Sequence, residues 1–168
     1  MTFYLIAVAI ILLDQATKRV IVGTLRLGQG LPVVPGFFDL VFVLNPGAAF
    51  SFLATLPDSV RNPFFITISV TAVILILVYR TRHLQQHALA SLSLALILGG
   101  AIGNLIDRLR YGMVVDFLLV HVYEYHWPAF NVADSAISVG VTLMVLDMLL
   151  EWRREKRKAS METANERQ

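Results

Sequence analysis

Two aspartates, Asp116 and Asp134, stand in short polar islands of a very apolar sequence, Val114-Val115-Asp116-Phe117 and Phe130-Asn131-Val132-Ala133-Asp134-Ser135. Two carboxylates held close together in a low-dielectric setting cannot both ionise easily. One keeps its proton, and the pair can take a proton from water while giving one to a leaving amine. Their titration then belongs to the pair. Asp116 and Asp134 are therefore the candidate catalytic residues, and amide hydrolysis is the chemistry they suit. The residues also suit a proton or ion pathway, since ionisable groups at a membrane boundary serve either purpose.

Other reactive sets are poorer. His121, Glu124 and His126 do not form the His-Glu-x-x-His pattern of a zinc site. Ser135 lacks a general base at a recognisable spacing. His83 and His87 are four residues apart, but beside Arg80 and Arg82 they read as a solvated face. The sequence has no cysteine, which excludes a thiol nucleophile, thiolate metal ligation and a disulfide framework.

The polar residues need elements to position them. The 168 residues are 57% hydrophobic and 15% charged, with a mean hydropathy of +0.67. A soluble domain of this size needs more polar surface. An all-α polytopic membrane protein is expected, with four transmembrane helices and a small extracytoplasmic β-rich lobe. Spans are expected at about 3–22, 63–79, 88–106 and 128–150, each near the length that crosses a bilayer. Met1-Thr2-Phe3-Tyr4 lacks the basic start of a cleavable signal peptide, so the first span is expected to be retained. The net charge of +2 is not a nucleic-acid signature, because the basic residues cluster at segment ends.

In the first span Asp14 and Lys18 lie four apart on one helical face, a pair expected to face the bundle interior. Gly23, Gly28, Gly30, Pro32, Pro35 and Gly36 punctuate the lobe at 23–57, in which Val33-Val34 and Phe38 to Leu44 have strand character. Phe38–Leu44 is too short to cross as a helix. It is expected to lie at the interface, to offer an edge to an extended peptide, or to pack as a compact loop. Pro46 and Gly47 force a turn that leaves the Asn45 amide free to bond. The third span carries Gly99, Gly100 and Gly103, which permit close helix approach. Asn104, Asp107 and Arg108 follow on one face. An outer loop at 109–127 carries Asp116 and an aromatic-polar run. Asp147, thirteen residues beyond Asp134 and so roughly 20 Å along a helix, belongs near the opposite surface.

The basic run Arg153-Arg154-Glu155-Lys156-Arg157-Lys158, with Arg80 and Arg82, places both termini in the cytoplasm by the positive-inside rule. The lobe, Asp116 and the Asp134 end of the last span then share the outer side. A single membrane domain covers 1–158, and 159–168 is expected to be a disordered cytoplasmic tail.

Five segments in register, Asp14 to Lys18, Asn45 to Ser51, Gly99 to Arg108, Val114 to Phe117 and Phe130 to Ser135, give the sequence its resemblance to the lipoprotein signal peptidase (signal peptidase II) family. The resemblance implies an aspartic endopeptidase of the bacterial inner membrane. It would cut prolipoproteins N-terminal to a diacylglyceryl-modified cysteine. It assigns the dyad to Asp116 and Asp134 and places Asn45, Asn104, Arg108 and Asn131 around the site. Asp14 and Lys18 match a supporting pair, with Gly47 and Asp107 in the same supporting set, and the lobe resembles the family's substrate cradle. Partners implied are prolipoproteins, membrane lipids and globomycin-type inhibitors, with no nucleic acid, no metal, no organic cofactor and a monomeric state. The alternative is a small proton-coupled carrier with the same aspartates as relay groups.

Overall fold

The computed structural model describes residues 1–47, 53, 55–83, 88–122 and 124–165, with the backbone alone at 83, 159 and 162–165. Residues 48–51 of the Asn45–Ser51 segment lie outside the described residues, as does the His87 half of the histidine pair. Among the described residues four helices, α1 (Thr2–Thr24), α2 (Asp58–His83), α3 (Ala88–Tyr111) and α4 (Val132–Asn165), carry a four-stranded antiparallel sheet of β1 (Gly30–Val34), β2 (Phe38–Asn45), β3 (Val114–Val122) and β4 (Tyr125–His126), in that spatial order.

Among the described residues three helices, over Asp58–Arg82, Ala88–Tyr111 and Val132–Lys158, are long and apolar enough to cross a membrane. α1 has 23 residues, but Asp14, Lys18 and Arg19 interrupt its apolar run. The bundle turns apolar side chains outward: Leu5, Val8, Leu12, Ile68, Leu75, Val141 and Leu149 are all exposed. α3 packs against all three other helices. Phe3 and Ala7 from α1, Ile76 from α2, and Leu94, Ala95 and Leu98 from α3 form the dry core where those helices meet.

Small residues set the helix spacing. A Cβ on Gly103 would lie 2.7 Å from the Asp14 carboxylate, and one on Gly100 would run into the Ala133 carbonyl. The approach that brings α1 and α4 onto α3 thus requires glycine at both positions.

The element bounds depart from the sequence reading where capping chemistry decides them. α2 begins at Asp58, five residues before Pro63, with Asp58 paired to Arg61 in the first turn. α3 continues to Tyr111 and ends on Gly112, whose φ of 68° few other residues adopt. α4 starts at Val132 rather than near 128, and runs to Asn165, so the backbone over 159–165 is helical where a disordered tail was expected. That stretch holds no glycine or proline to stop a helix.

Two expectations for the lobe are corrected. The outer loop at 109–127 is largely strand: β3 pairs with β2, setting Val43 opposite Asp116 and Asn45 opposite Val114. β2 is consequently an inner strand bonded on both sides, and offers no edge to a peptide. An apolar run such as Val114–Val120 becomes a strand once a partner is available, and that partner is about 70 residues away in sequence.

Candidate active site

Asp116 and Asp134 arrive from different elements. Gly112 turns the chain out of α3 and sends it directly into β3, which delivers Asp116 to the inner end of the sheet. Asp134 sits in the first turn of α4. A reciprocal cap builds that turn: Asn131 Oδ1 accepts the Asp134 backbone N–H at 2.9 Å, and Asp134 Oδ2 accepts the Asn131 N–H at 3.2 Å. This is the capping-box arrangement with Asn and Asp in the two places.

The same Asn131 joins the two carboxylates. Its side-chain amide donates to Asp116 Oδ1 at 2.7 Å, with Val115 O and Asn104 Oδ1 each 3.2 Å away. Asn45 donates to Asp116 Oδ2 at 2.9 Å, and Asn104 donates to Asp134 Oδ1 at 2.8 Å. All four carboxylate oxygens therefore accept an N–H, and each side chain is fixed in direction before any ligand arrives. Gly47 N–H closes on Asn45 Oδ1 at 2.9 Å, the turn that fixes that amide. Arg108 donates to the Gly47 carbonyl at 3.3 Å and lies over the Phe65 ring at 5.0 Å.

Behind this layer lies a buried ionic cluster. Lys18 Nζ reaches Asp14 Oδ2 at 2.9 Å, Asp107 Oδ2 at 2.8 Å and Asn104 Oδ1 at 2.9 Å, which uses all three of its N–H donors. Asp14 Oδ1 accepts the N–H of Ala133, and Asp107 Oδ2 accepts the N–H of Val115. Each buried carboxylate thus grips the residue immediately before one of the paired aspartates, and one ammonium holds both grips. Gln15, whose role the sequence did not suggest, donates to Asp107 Oδ1 at 3.0 Å.

A cavity of about 550 Å³ opens on the pair, lined by Asn45, Gly47, Asn104, Arg108, Asp116 and Asp134 on its polar side. Trp127, Phe130, Ser138 and Val139 supply wall that sequence reasoning missed, because they come from the connection between β4 and α4 and from the second turn of α4. Asp14, Lys18, Asp107 and Asn131 stand behind the lining. His121 and His126 stack on one another at 5.2 Å and do not line the cavity. Among the described residues no group of three or more histidines or acidic residues is arranged to hold a metal.

Burial and then the nearby Asp134 charge push the Asp116 carboxyl up to about 7, against the opposing hydrogen bonds from Asn45 and Asn131 and the charge of Lys18. Folded Asp116 then holds its proton to about pH 7, whereas an unfolded carboxyl releases it near 3.8. The native state binds the extra proton between those values, so this group's stabilisation is full below the lower value and is lost as pH rises through the higher one. The melting temperature of the purified protein should therefore fall between about pH 5 and pH 8, and Asp116→Asn should flatten that slope. Equal slopes in the two proteins would remove the perturbed carboxyl from the account.

A bundle of apolar helices with two carboxylates facing one cavity defines a class of membrane proteins that includes hydrolases and proton pathways, and the comparisons with known proteins narrow it. The model of the signal peptidase II (SPase II) family matches residues 6–150. A lipoprotein signal peptidase of Syntrophotalea carbinolica is 52% identical over 149 residues, covering 89% of each chain. That of Geobacter sulfurreducens is 51% identical over 154 residues, covering 91% of this chain and 94% of its own. A solved structure described as a bacterial membrane enzyme superposes with a TM-score of 0.81 at 33% identity, covering 89% of this chain and 88% of that one. The chain belongs to the signal peptidase II family, the one its sequence segments resemble.

Proposed function

We propose that this chain is an aspartic endopeptidase of the bacterial cytoplasmic membrane that removes signal peptides from prolipoproteins, cutting N-terminal to a diacylglyceryl-modified cysteine. The observation that carries the reading is the joint hold on Asp116 and Asp134: Asn131 bonds to both, and both face one cavity. The family's curated relatives are lipoprotein signal peptidases, which supplies the substrate class.

In the proposed reaction one carboxylate takes a proton from water as the water oxygen bonds to the scissile carbonyl carbon. The protonated partner gives its proton to the carbonyl oxygen. Collapse of the tetrahedral intermediate breaks the C–N bond: the leaving nitrogen takes up the proton acquired from water, and the hydroxyl formed from the carbonyl oxygen returns its proton to the partner carboxylate as the C=O re-forms. Asp116, with its raised pKa, is suited to hold the shared proton near neutral pH. Arg108 and Asn45 border the cavity where peptide carbonyls would lie, and can donate to them. From Asp134 the cavity wall continues along α4 through Ser138 and Val139, a direction that suits a substrate whose acyl chains remain in the bilayer.

α1 completes the membrane domain as a fourth span in this reading. Asp14 and Lys18 are buried against Asp107 rather than turned to lipid, which removes the main cost of carrying them across. Both termini lie in the cytoplasm, and the site opens to the outer face. Globomycin-type peptides are expected to compete for the cavity.

The test is a gel-shift cleavage assay with one prolipopeptide prepared with and without the diacylglyceryl group on its cysteine. Cleavage of the lipidated form alone is expected. Folded protein that leaves the lipidated form intact, or that couples proton flux to transport in proteoliposomes without cleavage, would overturn the proposal in favour of a carrier.

A further inference from the structure

A second, smaller cavity lies between α1 and α3, on the other side of the ionic cluster from the paired aspartates. The two helices run side by side in a fixed register: Asp14 lies against Gly103, and Lys18 against Asp107. Continuing in that register, α1 presents Arg19 and Val22 where α3 presents Arg110 and Tyr111. The cavity is about 70 Å³, and its lining includes Gln15, Lys18, Arg19, Asp107, Arg110 and Tyr111.

Its floor and its rim differ in what they can bind. On the floor Lys18 has spent its three donors, and Asp107 accepts from Gln15, Lys18 and the Val115 N–H. That floor is electrostatically satisfied and offers little to a cation. The rim is exposed, and its two arginines keep donors that the described residues do not use. Arg110 donates one N–H to Gln15 Oε1 at 3.2 Å, and Arg19 makes no hydrogen bond or ion pair among the described residues. Two guanidinium groups, each with five donors, thus border one small cavity with no carboxylate paired to either. A volume of about 70 Å³ holds roughly two water-sized groups, which matches the two non-bridging oxygens of a phosphodiester.

The position along the helices selects the source of that phosphate. Arg110 and Tyr111 end α3, and Arg19 lies within two turns of the end of α1. Tyr111 is half exposed there, the placement expected of an aromatic residue at the water–lipid boundary. Lipid phosphates lie at that depth. Snorkelling would account for Arg19 alone, but not for two arginines converging on one cavity. We propose that Arg19 and Arg110 form a binding site for the phosphodiester of an anionic phospholipid. Through Gln15, which bonds to Arg110, Asp14 and Asp107, a bound headgroup would brace the cluster that holds Ala133 and Val115 in place. This site stands whether or not the peptidase reading does, because it requires only a chain embedded in a membrane.

The experiment is thermal unfolding of the full-length protein in detergent micelles, titrated with phosphatidylglycerol, phosphatidylcholine or inorganic phosphate, alongside native mass spectrometry of retained lipid. Phosphatidylglycerol is expected to raise the melting temperature and to be retained, and phosphatidylcholine and inorganic phosphate to do neither. Arg19→Gln and Arg110→Gln should each weaken phosphatidylglycerol binding about tenfold or more, while Arg26→Gln, at an exposed arginine elsewhere, should leave it unchanged. Equal effects of the two lipids, an equal effect of inorganic phosphate, or an equal loss in Arg26→Gln would each overturn the assignment.

Discussion

Asp116→Asn or Asp134→Asn is expected to leave a folded, membrane-inserted protein whose cleavage of a diacylglyceryl prolipopeptide is reduced by about a thousandfold or more. Acid–base groups of this kind contribute about 10² to 10⁴ in rate. Asparagine keeps the volume of either side chain and one acceptor oxygen, so the fold has little reason to fail. At position 116 the retained oxygen can still accept from Asn131 or Asn45, and at 134 from Asn104 or the Asn131 backbone. The loss should therefore be chemical, with melting temperature reduced by a few degrees at most for about 1 kcal/mol of lost hydrogen bonding. Because the two carboxylates share one task, the double variant should be no slower than the worse single one. Near-normal cleavage by either variant, or losses that multiply in the double, would sink the dyad.

Lys18→Met should have the next largest effect, although Lys18 does not line the cavity that opens on Asp116 and Asp134. Removing the ammonium leaves Asp14 and Asp107 buried side by side without their shared counter-ion, at an expected cost of about 3–5 kcal/mol. Activity should fall with stability, because Ala133 and Val115 are gripped by those two carboxylates. The informative control is Lys18→Met combined with Asp107→Asn. The asparagine oxygen can still accept the Val115 N–H, while one unpaired charge is gone, so the double variant should melt higher than Lys18→Met alone. If the two melt together, the cluster is not the electrostatic clamp its geometry implies. Denaturation followed by circular dichroism, run beside the cleavage assay, separates the two contributions.

Much of the site was legible in the sequence because its chemistry is written in residue type. Asp, Asn, Lys and Arg in an apolar chain are costly unless used, so Asp14, Lys18, Asn45, Asn104, Asp107, Arg108, Asp116, Asn131 and Asp134 could be picked out individually. The spacing of Asp14 and Lys18 showed that they share a helical face, and the geometry adds that Asp107 makes the pair a triad. Gln15 was passed over because a glutamine beside an aspartate carries no local signal; its partners Asp107 and Arg110 are more than 90 residues away. The same holds for the cavity wall. Trp127 read only as part of an aromatic-polar run and Phe130 as the start of the segment that carries Asp134, and only the path of the chain from β4 into α4 turns them toward the aspartates.

By itself the sequence determined which stretches are apolar enough for a bilayer, which residues carry chemistry and, through five segments in order, which family the chain resembles. These are properties of composition and short spacing, and they survive without coordinates. The tertiary structure decided that 114–122 is a strand, that β2 lies inside the sheet, that α3 continues to Tyr111, and that Asn131 serves both as helix cap and as bridge between the aspartates. Each depends on a partner distant in the chain: a strand is completed only by its neighbour, and a buried amide takes its role from the groups that fold around it.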